Sequence, residues 1–374
     1  MSLTRYKLKD LIEPCEERNS NLKFGLESVK GISTEKEFIT TKANMDGVGL
    51  KSYKLVLKNE FAYVADTSRR GDKVALAFND KDETILISSI YSVFKVQKIN
   101  LLLPDYLFMY FNRPEFDRYA RFSSWGSARE TFSFEEMCEI EIDLPQLEIQ
   151  QKFVDIYKAL QTNLNAFEKG STDLKLLCDA YIENLRHQMP SQRIGQYLQS
   201  VNEINVKKEF SDAQGVEASG SFIYTRANMD GVDISKYTIV RKDNIAYNPS
   251  RINLGSIAIY SDEKPCIVSP MYVVFKVVDE NEILPLYLML WLKRKEFQRL
   301  TWYFAAGSVR DTFDFNLMQE VKIPIPNLEI QKAIVAIYEA YNKRKELCQS
   351  LKIQLKELCP VLIQGALKEA REKR

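Results

Sequence analysis

The chain has 374 residues, 45% hydrophobic and 28% charged, so it is long enough for two or three packed domains and has none of the composition of a disordered protein. Fifty-two basic residues against 51 acidic ones leave the net charge near zero, so binding to a polyanion has to come from local clusters of charge. Six scattered cysteines (Cys15, Cys138, Cys178, Cys266, Cys348, Cys359) without a C-x-x-C pair fit free thiols, not a disulfide framework or a zinc site, and predict a cytoplasmic protein. The most apolar window, Leu101–Phe111, is interrupted by Pro104 and Asp105 and is too short to span a bilayer. No signal-peptide core stands at the N-terminus, and no membrane association is expected.

In chain order, the first 146 residues carry short β-like runs: "YKLVL", "FAYVA" and "ILISSIYSVFKV". Turns such as Met45-Asp46-Gly47 punctuate them. An apolar helix follows at Leu107–Phe111. A Gly126-Ser127 loop then leads to a short helix capped by Ser133, with Glu136 in the capping-box position. From residue 147 to 188 the pattern becomes helical. Phe153, Leu160, Phe167, Leu174 and Tyr181 recur every seven residues, which predicts a coiled-coil seam.

The order then repeats. "ANMDGV" occurs at Ala43–Val48 and again at Ala227–Val232, and Lys42 corresponds to Arg226 at an offset of 184. Tyr53 matches Tyr237 at the same offset. After a small deletion the offset is 181: "YSVFKV" matches "YVVFKV", "GSARETFSF" matches "GSVRDTFDF", and "LPQLEIQ" matches "IPNLEIQ". Such ordered agreement reads as internal duplication. It predicts β-rich domains over 1–146 and 189–327 and long helices over 147–188 and 328–374. The second copy holds the runs "YTIVRKDNIAYN", "SIAIY" and "CIVSPMYVVFKV", an apolar helix at Leu286–Leu292, and Asp314 as the cap of a short helix. In its long helix, Ile334, Tyr341, Cys348, Leu355 and Leu362 form one seam; Ile330, Ile337, Leu351 and Leu358 fill a second. Two such helices have each other as partners, and the expected arrangement is an antiparallel pair in a pseudo-twofold molecule.

The residues for most catalytic chemistry are missing. The sole histidine, His187, sits at a helix end and reads as a surface residue favoured by the helix dipole. A lone histidine at a helix end is poorly placed for a Ser-His-Asp triad and cannot make a histidine-rich metal site. There is no G-x-x-x-x-G-K-[ST] loop and no G-x-G-x-x-G turn. "NPSR" at Asn248–Arg251 is similar to the Asn-Pro-Pro-aromatic motif of adenine methyltransferases but lacks its second proline and its aromatic. The chain reads as a binder. Its candidate contacts are polar and basic loops at equivalent places: Lys42 and Asn44 with Arg226 and Asn228; Ser68, Arg69 and Arg70 with Asn248, Ser250, Arg251 and Asn253; Arg129 with Arg310. Arg, Lys, Asn and Ser read base edges and hold phosphates. The competing reading is a solvated turn, or, for Arg129 and Arg310, an ion pair with neighbouring acids.

Two β-rich domains, each followed by a "G-S-x-R … F … (L/I)-P-x-L-E-I-Q" passage and a long helix, resemble the specificity (S) subunit of type I restriction-modification systems. Pro145–Gln150 and Pro326–Gln331 carry the most specific part of the resemblance, together with the two-copy order and "N-P-S-R-x-N-x-G-S-I-A" at Asn248–Ala258. Copy one departs there, reading "ADTSRRGDKVALA". The resemblance implies an α+β protein: two β-rich α/β target-recognition domains joined by two long antiparallel coiled-coil helices. Each domain would read half of a bipartite double-stranded DNA target, and the helices would set the gap. The S subunit would be non-catalytic. Two modification subunits, carrying S-adenosylmethionine, would methylate adenine, and restriction subunits would cleave. The alternatives are a protein-interaction scaffold and an orphan S subunit without active partners. The near identity of Thr41–Val48 and Thr225–Val232 further predicts partly similar half-sites.

Overall fold

The computed structural model describes residues 3–67, 73–125, 130–305 and 312–372, the side chain of Ala305 aside. Two compact units divide the chain: residues 1–168 with 346–374, and residues 169–345. The division falls inside both long helices.

Unit one is built on a four-stranded antiparallel sheet in the spatial order Ile12–Cys15, Ser92–Val96, Glu60–Tyr63, Leu76–Phe78. Smaller ladders pair Lys30–Ile32 with Phe38–Thr40, Lys54–Val56 with Ile85–Ile87, and Thr4–Lys7 with Glu141–Leu144. The run "ILISSIYSVFKV" is therefore two strands, Ile85–Ile87 and Ser92–Val96, parted by a turn at Ser88–Tyr91. Helices α1 (Pro104–Phe111) and α2 (Pro114–Phe122) each start on a proline, whose missing N–H costs nothing in a first turn. Helix α3 (Phe134–Cys138) is capped by Ser133, whose hydroxyl accepts from the Glu136 amide at 3.2 Å. One side of the sheet packs on α1 through Phe61, Phe94 and Phe111, stacked and edge-on at 5.0–6.1 Å.

Helix α4 (Leu147–Gln188) spans 42 residues, about 60 Å at 1.5 Å per residue. Unit two repeats the strand order: Leu198–Ser200, Val273–Val277, Ile245–Tyr247, Ile257–Ile259 in one sheet. A second sheet orders Phe222–Tyr224, Ala213–Val216, Cys266–Val268, Thr238–Val240, its central pair parallel. Helices α5 (Pro285–Leu292), α6 (Lys295–Ala305) and α7 (Phe315–Gln319) follow, and Asp314 caps α7 by accepting from the Leu317 amide at 2.9 Å. Helix α8 (Leu328–Glu372) has 45 residues.

One glutamine roots each long helix in its unit. Gln150 is fully buried. Its Oε1 accepts from the Leu103 amide at 3.0 Å, and its Nε2 donates to the carbonyls of Leu101 and Pro145 at 2.7 and 2.8 Å. Gln331 does the same in unit two: it accepts from Leu284 at 2.9 Å and donates to Glu282 and Pro326, both at 2.8 Å. Each side chain thus satisfies the loop that enters the apolar helix and the loop that enters the long helix.

Within each unit the halves of α4 and α8 pack together and run in opposite directions. In unit one, Lys152 pairs with Glu369 and Glu168 with Lys352, both at 2.7 Å. Val154 and Tyr157 share a core with Cys359, Leu362, Ile363 and Ala366. In unit two, Cys178, Ile182 and Leu185 share a core with Ile334 and Val335. The buried positions correct the expected seam on α4. Phe167 and Tyr181 are exposed, as is Leu160, while Gln150, Tyr157, Leu164, Ser171, Cys178 and Leu185, also seven apart, are buried. A search for large apolar residues misses a seam built partly from Gln, Ser and Cys, and selects its flank. On α8 the first expected seam holds, with Ile334, Cys348 and Leu362 buried; the second shifts by one, since Gln331, Cys359 and Ala366 are buried and Ile330 and Leu358 are exposed.

A hairpin tip in unit one is clamped from two sides. Lys36, buried, reaches Asp117 on α2 at 2.5 Å, and burial pushes its amine below the usual lysine range against the pull of Asp117. Lys356 on α8 reaches the Glu35 carboxylate at 2.7 Å, and with Lys73 it holds that carboxyl down to about 2.

Substituting Gln331 by Met keeps the volume and strands one amide and two carbonyls, each costing about 1–3 kcal/mol when buried. The Gln331→Met chain should melt about 6–12 °C lower in calorimetry, using ~2–4 °C per kcal/mol for about 3 kcal/mol. An exposed control, Gln151→Met, should melt like the parent.

Candidate nucleic-acid interface

The repeated hexapeptide is a loop that closes in a β-turn and packs through its methionine. In unit one, the Asn44 side-chain Oδ1 accepts from the Asp46 amide at 3.0 Å, and the Thr41 hydroxyl accepts from Ala43 at 3.3 Å. The Val48 amide then closes a turn onto Met45 at 3.2 Å, with Gly47 at φ +73°, the left-handed value that a type II turn demands of its third residue. Unit two reproduces each bond: Asn228 to Asp230 at 2.9 Å, Thr225 to Ala227 at 3.3 Å, Met229 to Val232 at 3.2 Å, and Gly231 at φ +73°. The methionine between them is the anchor. Met229 packs on Ala213, Ile239 and Ile267, and its sulfur meets the Tyr237 hydroxyl at 3.9 Å. Met45 packs with Val29, Leu50, Leu55 and Leu86 and meets Tyr53 at the same distance. The hexapeptide recurs because both units need that plug, so its near identity carries no requirement for similar half-sites. Lys42 and Arg226, beside it, are exposed, as are Asn44 and Asn228.

A different turn holds the second candidate group. After strand Ile245–Tyr247, Asn248 is buried and works on its own backbone: Oδ1 accepts from Ser250 at 3.0 Å and its carbonyl from Arg251 at 3.0 Å. Ser250 and Arg251 stand exposed, and Asn253 is half-buried. Gly255, at φ +98°, ends the turn where a Cβ would lie 2.6 Å from the Ala218 carbonyl. Asn248 therefore shapes the turn that presents Ser250 and Arg251. The flanks of this turn and of the hexapeptide loop bond opposite ends of one strand, Ala213–Val216: the Thr225 amide donates to Ala213, and the Ser256 hydroxyl donates to Val216 at 2.6 Å. A four-residue strand is about 13 Å long.

The counterpart residues Ser68, Arg69 and Arg70, and with them Arg129 and Arg310, lie outside the described residues. The flanks of those segments are described, and they meet. In unit one, Thr67 bonds the Ser124 hydroxyl at 3.0 Å and the Glu130 carbonyl at 3.1 Å, and Phe132 donates to Ala65 at 2.8 Å. In unit two, Phe313 donates to Pro249 at 3.1 Å. The described residues that flank the turn after the central strand and the Gly-Ser-x-Arg segment thus bond one another in each unit. The hexapeptide loop is elsewhere.

Three features escaped the sequence reading: the methionine plug, the buried glutamines, and exposed aromatic rings at the ends of α2 and α6. The tyrosine at the fixed offset from each methionine was the available signal for the first. His187 is exposed, 3.4 Å from Glu183. Among the described residues no group of His, Cys, Asp and Glu could hold a metal ion, and no helix is long and apolar enough to cross a membrane.

Two β-rich units of one strand order, each joined to a long helix, define a two-domain α+β protein. The type I restriction modification DNA specificity domain matches the chain twice, over residues 4–175 and 197–357, and the chain belongs to that family. A putative type I restriction enzyme MjaX specificity subunit from Methanocaldococcus jannaschii is 27% identical over 112 residues, 29% of this chain and 26% of that protein. The chain thus spans about a quarter of that curated relative. Among solved structures, the type I restriction-modification S subunit from M. genitalium superposes with a TM-score of 0.55 at 12% identity, covering 98% of this chain and 96% of that one. A chain from a structural study of complex assembly and conformational transition of the type I R-M system gives 0.51 at 14% identity, covering 98% and 97%. These two likenesses concern the fold.

Truncating Met229 to Ala should destabilise the protein by roughly 1–3 kcal/mol, below the ~2–5 kcal/mol of a fully buried methionine, as read by urea unfolding. Asn228→Ala should cost about 1 kcal/mol, the value of a side-chain oxygen capping a backbone amide.

Proposed function

We propose that this chain is the DNA-reading subunit of a type I restriction-modification complex, with each unit contacting one half of a bipartite duplex target. The observation that carries this reading is the double match of the DNA specificity domain, one copy per unit. On the framework of each unit, the turn after the central strand and the Gly-Ser-x-Arg segment form the base-reading group: Asn248, Ser250, Arg251, Asn253 and Arg310 in unit two, and Ser68, Arg69, Arg70 and Arg129 in unit one. Arg251 is suited to the bidentate guanine contact that arginine makes in the major groove. Lys42, Asn44, Arg226 and Asn228 stand at the other end of the strand, suited to phosphate contacts that fix register.

The domains in this reading are 1–146 and 189–327, with helices over 147–188 and 328–374, and they descend from one duplicated half. The two helices form one antiparallel coiled coil and act as a ruler between the half-sites. Two modification subunits dock along it, bringing S-adenosylmethionine and the methyl transfer to adenine; restriction subunits add cleavage. The chain itself reads and does not catalyse, and the complex works in the cytoplasm.

Methylome sequencing of cells with and without the gene tests this directly. A single bipartite motif that loses adenine methylation on deletion is the expected result; an unchanged methylome argues for a scaffold or an orphan subunit. Arg251→Ala should cut methylation at that motif ~5- to 150-fold, since one bidentate base contact is worth ~1–3 kcal/mol, while Arg371→Ala in the last turn of α8 should leave it intact.

A further inference from the structure

The last turn of α6 holds aromatic rings in water. Trp302 is 65% exposed and Tyr303 72%, with Phe304 set edge-on to Tyr303 at 5.8 Å. The inner face of the same helix is packed in the ordinary way, with Thr301 and Phe297 buried. In unit one, Phe122 at the end of α2 is 80% exposed and Trp125, just beyond it, 65%. Phe122 and Tyr303 correspond at the offset of 181, and four residues before each stands an arginine, Arg118 or Arg299, bonded to the glutamate three residues earlier at 3.5 Å. Rings grouped in this way are more than the scattered apolar side chains any surface carries; a contiguous exposed patch marks a contact.

Their neighbours indicate what the contact is. In unit two, the three-residue helical turn Ile252–Leu254, which follows Arg251, packs against α6. Lys295 and Arg299 lie on the exposed side of α6, where the one glutamate, Glu296, is neutralised by Arg294 at 3.2 Å and by Arg299. In unit one, Trp125 exchanges backbone bonds with Thr131 at 3.0 and 3.2 Å, Ser124 bonds Thr67, and Arg121 pairs with Glu130. The aromatics therefore stand at the base of the reading loops, among cations. Cationic side chains beside exposed rings suit a phosphate backbone with bases or sugars in reach; base–ring stacking tolerates any sequence because every base has a π face.

We propose that Trp302 and Tyr303 in unit two, and Phe122 and Trp125 in unit one, press against the bases of a distorted half-site, the occupant of both patches being duplex DNA. The role rests on the reading above that both units bind DNA. It adds a sequence-independent grip beside the loops that read sequence: rings set against an unstacked step stabilise a kinked duplex and lower the cost of taking a target base out of the stack.

Hydroxyl-radical footprinting by mass spectrometry reads these residues one by one, since Trp, Tyr and Phe oxidise readily. The samples are the chain alone, the chain assembled with its modification subunits, and that assembly with a duplex carrying the mapped motif, with DNA binding followed by fluorescence anisotropy in the same samples. Oxidation of all four rings should fall at least threefold on adding DNA and stay unchanged on assembly, while buried Trp291 stays low throughout. Full protection on assembly without DNA would make the patches a protein interface and overturn the proposal. So would unchanged oxidation in a complex that anisotropy shows to be bound, which would leave the DNA-reading function standing; absence of DNA binding would remove both. Tyr303→Ala should weaken DNA binding ~5- to 100-fold, the worth of one stacked base, and Tyr303→Trp should restore it.

Discussion

The architecture depends on how each long helix leaves its unit. A helix of more than forty residues amplifies any angular error at its root, so the root has to be stiff. Gln150 and Gln331 provide that stiffness. Each is fully buried and bonds three backbone groups from two loops, so the helix cannot rotate or tilt without stranding polar groups in an apolar core. Equivalent sets of three bonds, made by glutamines 181 residues apart, give each unit the same junction between sheet, apolar helix and long helix.

The β-rich units are arranged around that junction. The central strands carry an aromatic core toward α1 or α5 on one face. Beside the smaller ladders the hexapeptide forms a turn pinned by its methionine. Loops that need sequence freedom emerge where two backbone segments share a base, Ala65 with Phe132 and Pro249 with Phe313. A fixed frame with variable tips is a general way to place recognition chemistry on a rigid scaffold.

Much of this was legible in the sequence, and the exceptions have physical causes. The strands, the apolar helices, the Ser133 and Asp314 caps and both long helices follow from periodicity and turn chemistry. The α4 seam did not, because its buried positions include Gln150, Ser171 and Cys178 while the larger Phe167 and Tyr181 sit beside it; side-chain size is a poor guide where two helices approach over small residues. The sequence singles out Asn248 without showing that it is buried or that its Oδ1 accepts from the Ser250 amide and shapes the turn. Asn44 and Asn228 likewise spend one oxygen on their own turns. The repetition of "ANMDGV" is legible, but the packing of Met45 and Met229 that it serves is not, because a lone methionine in a polar turn carries no periodic signal. The exposed rings of α2 and α6 were hidden because apolar residues in a helix are expected to face inward.

Under the function proposed above, helix length sets the gap between the two half-sites. Inserting one heptad after Glu168 in α4 and another after Lys345 in α8, where the two units divide, lengthens each helix by about 10 Å and preserves the seven-residue repeat. Methylome sequencing of cells carrying that variant should return the same two half-sites with a gap wider by about three base pairs, at ~3.4 Å per pair. The same half-sites at the original gap would contradict the account.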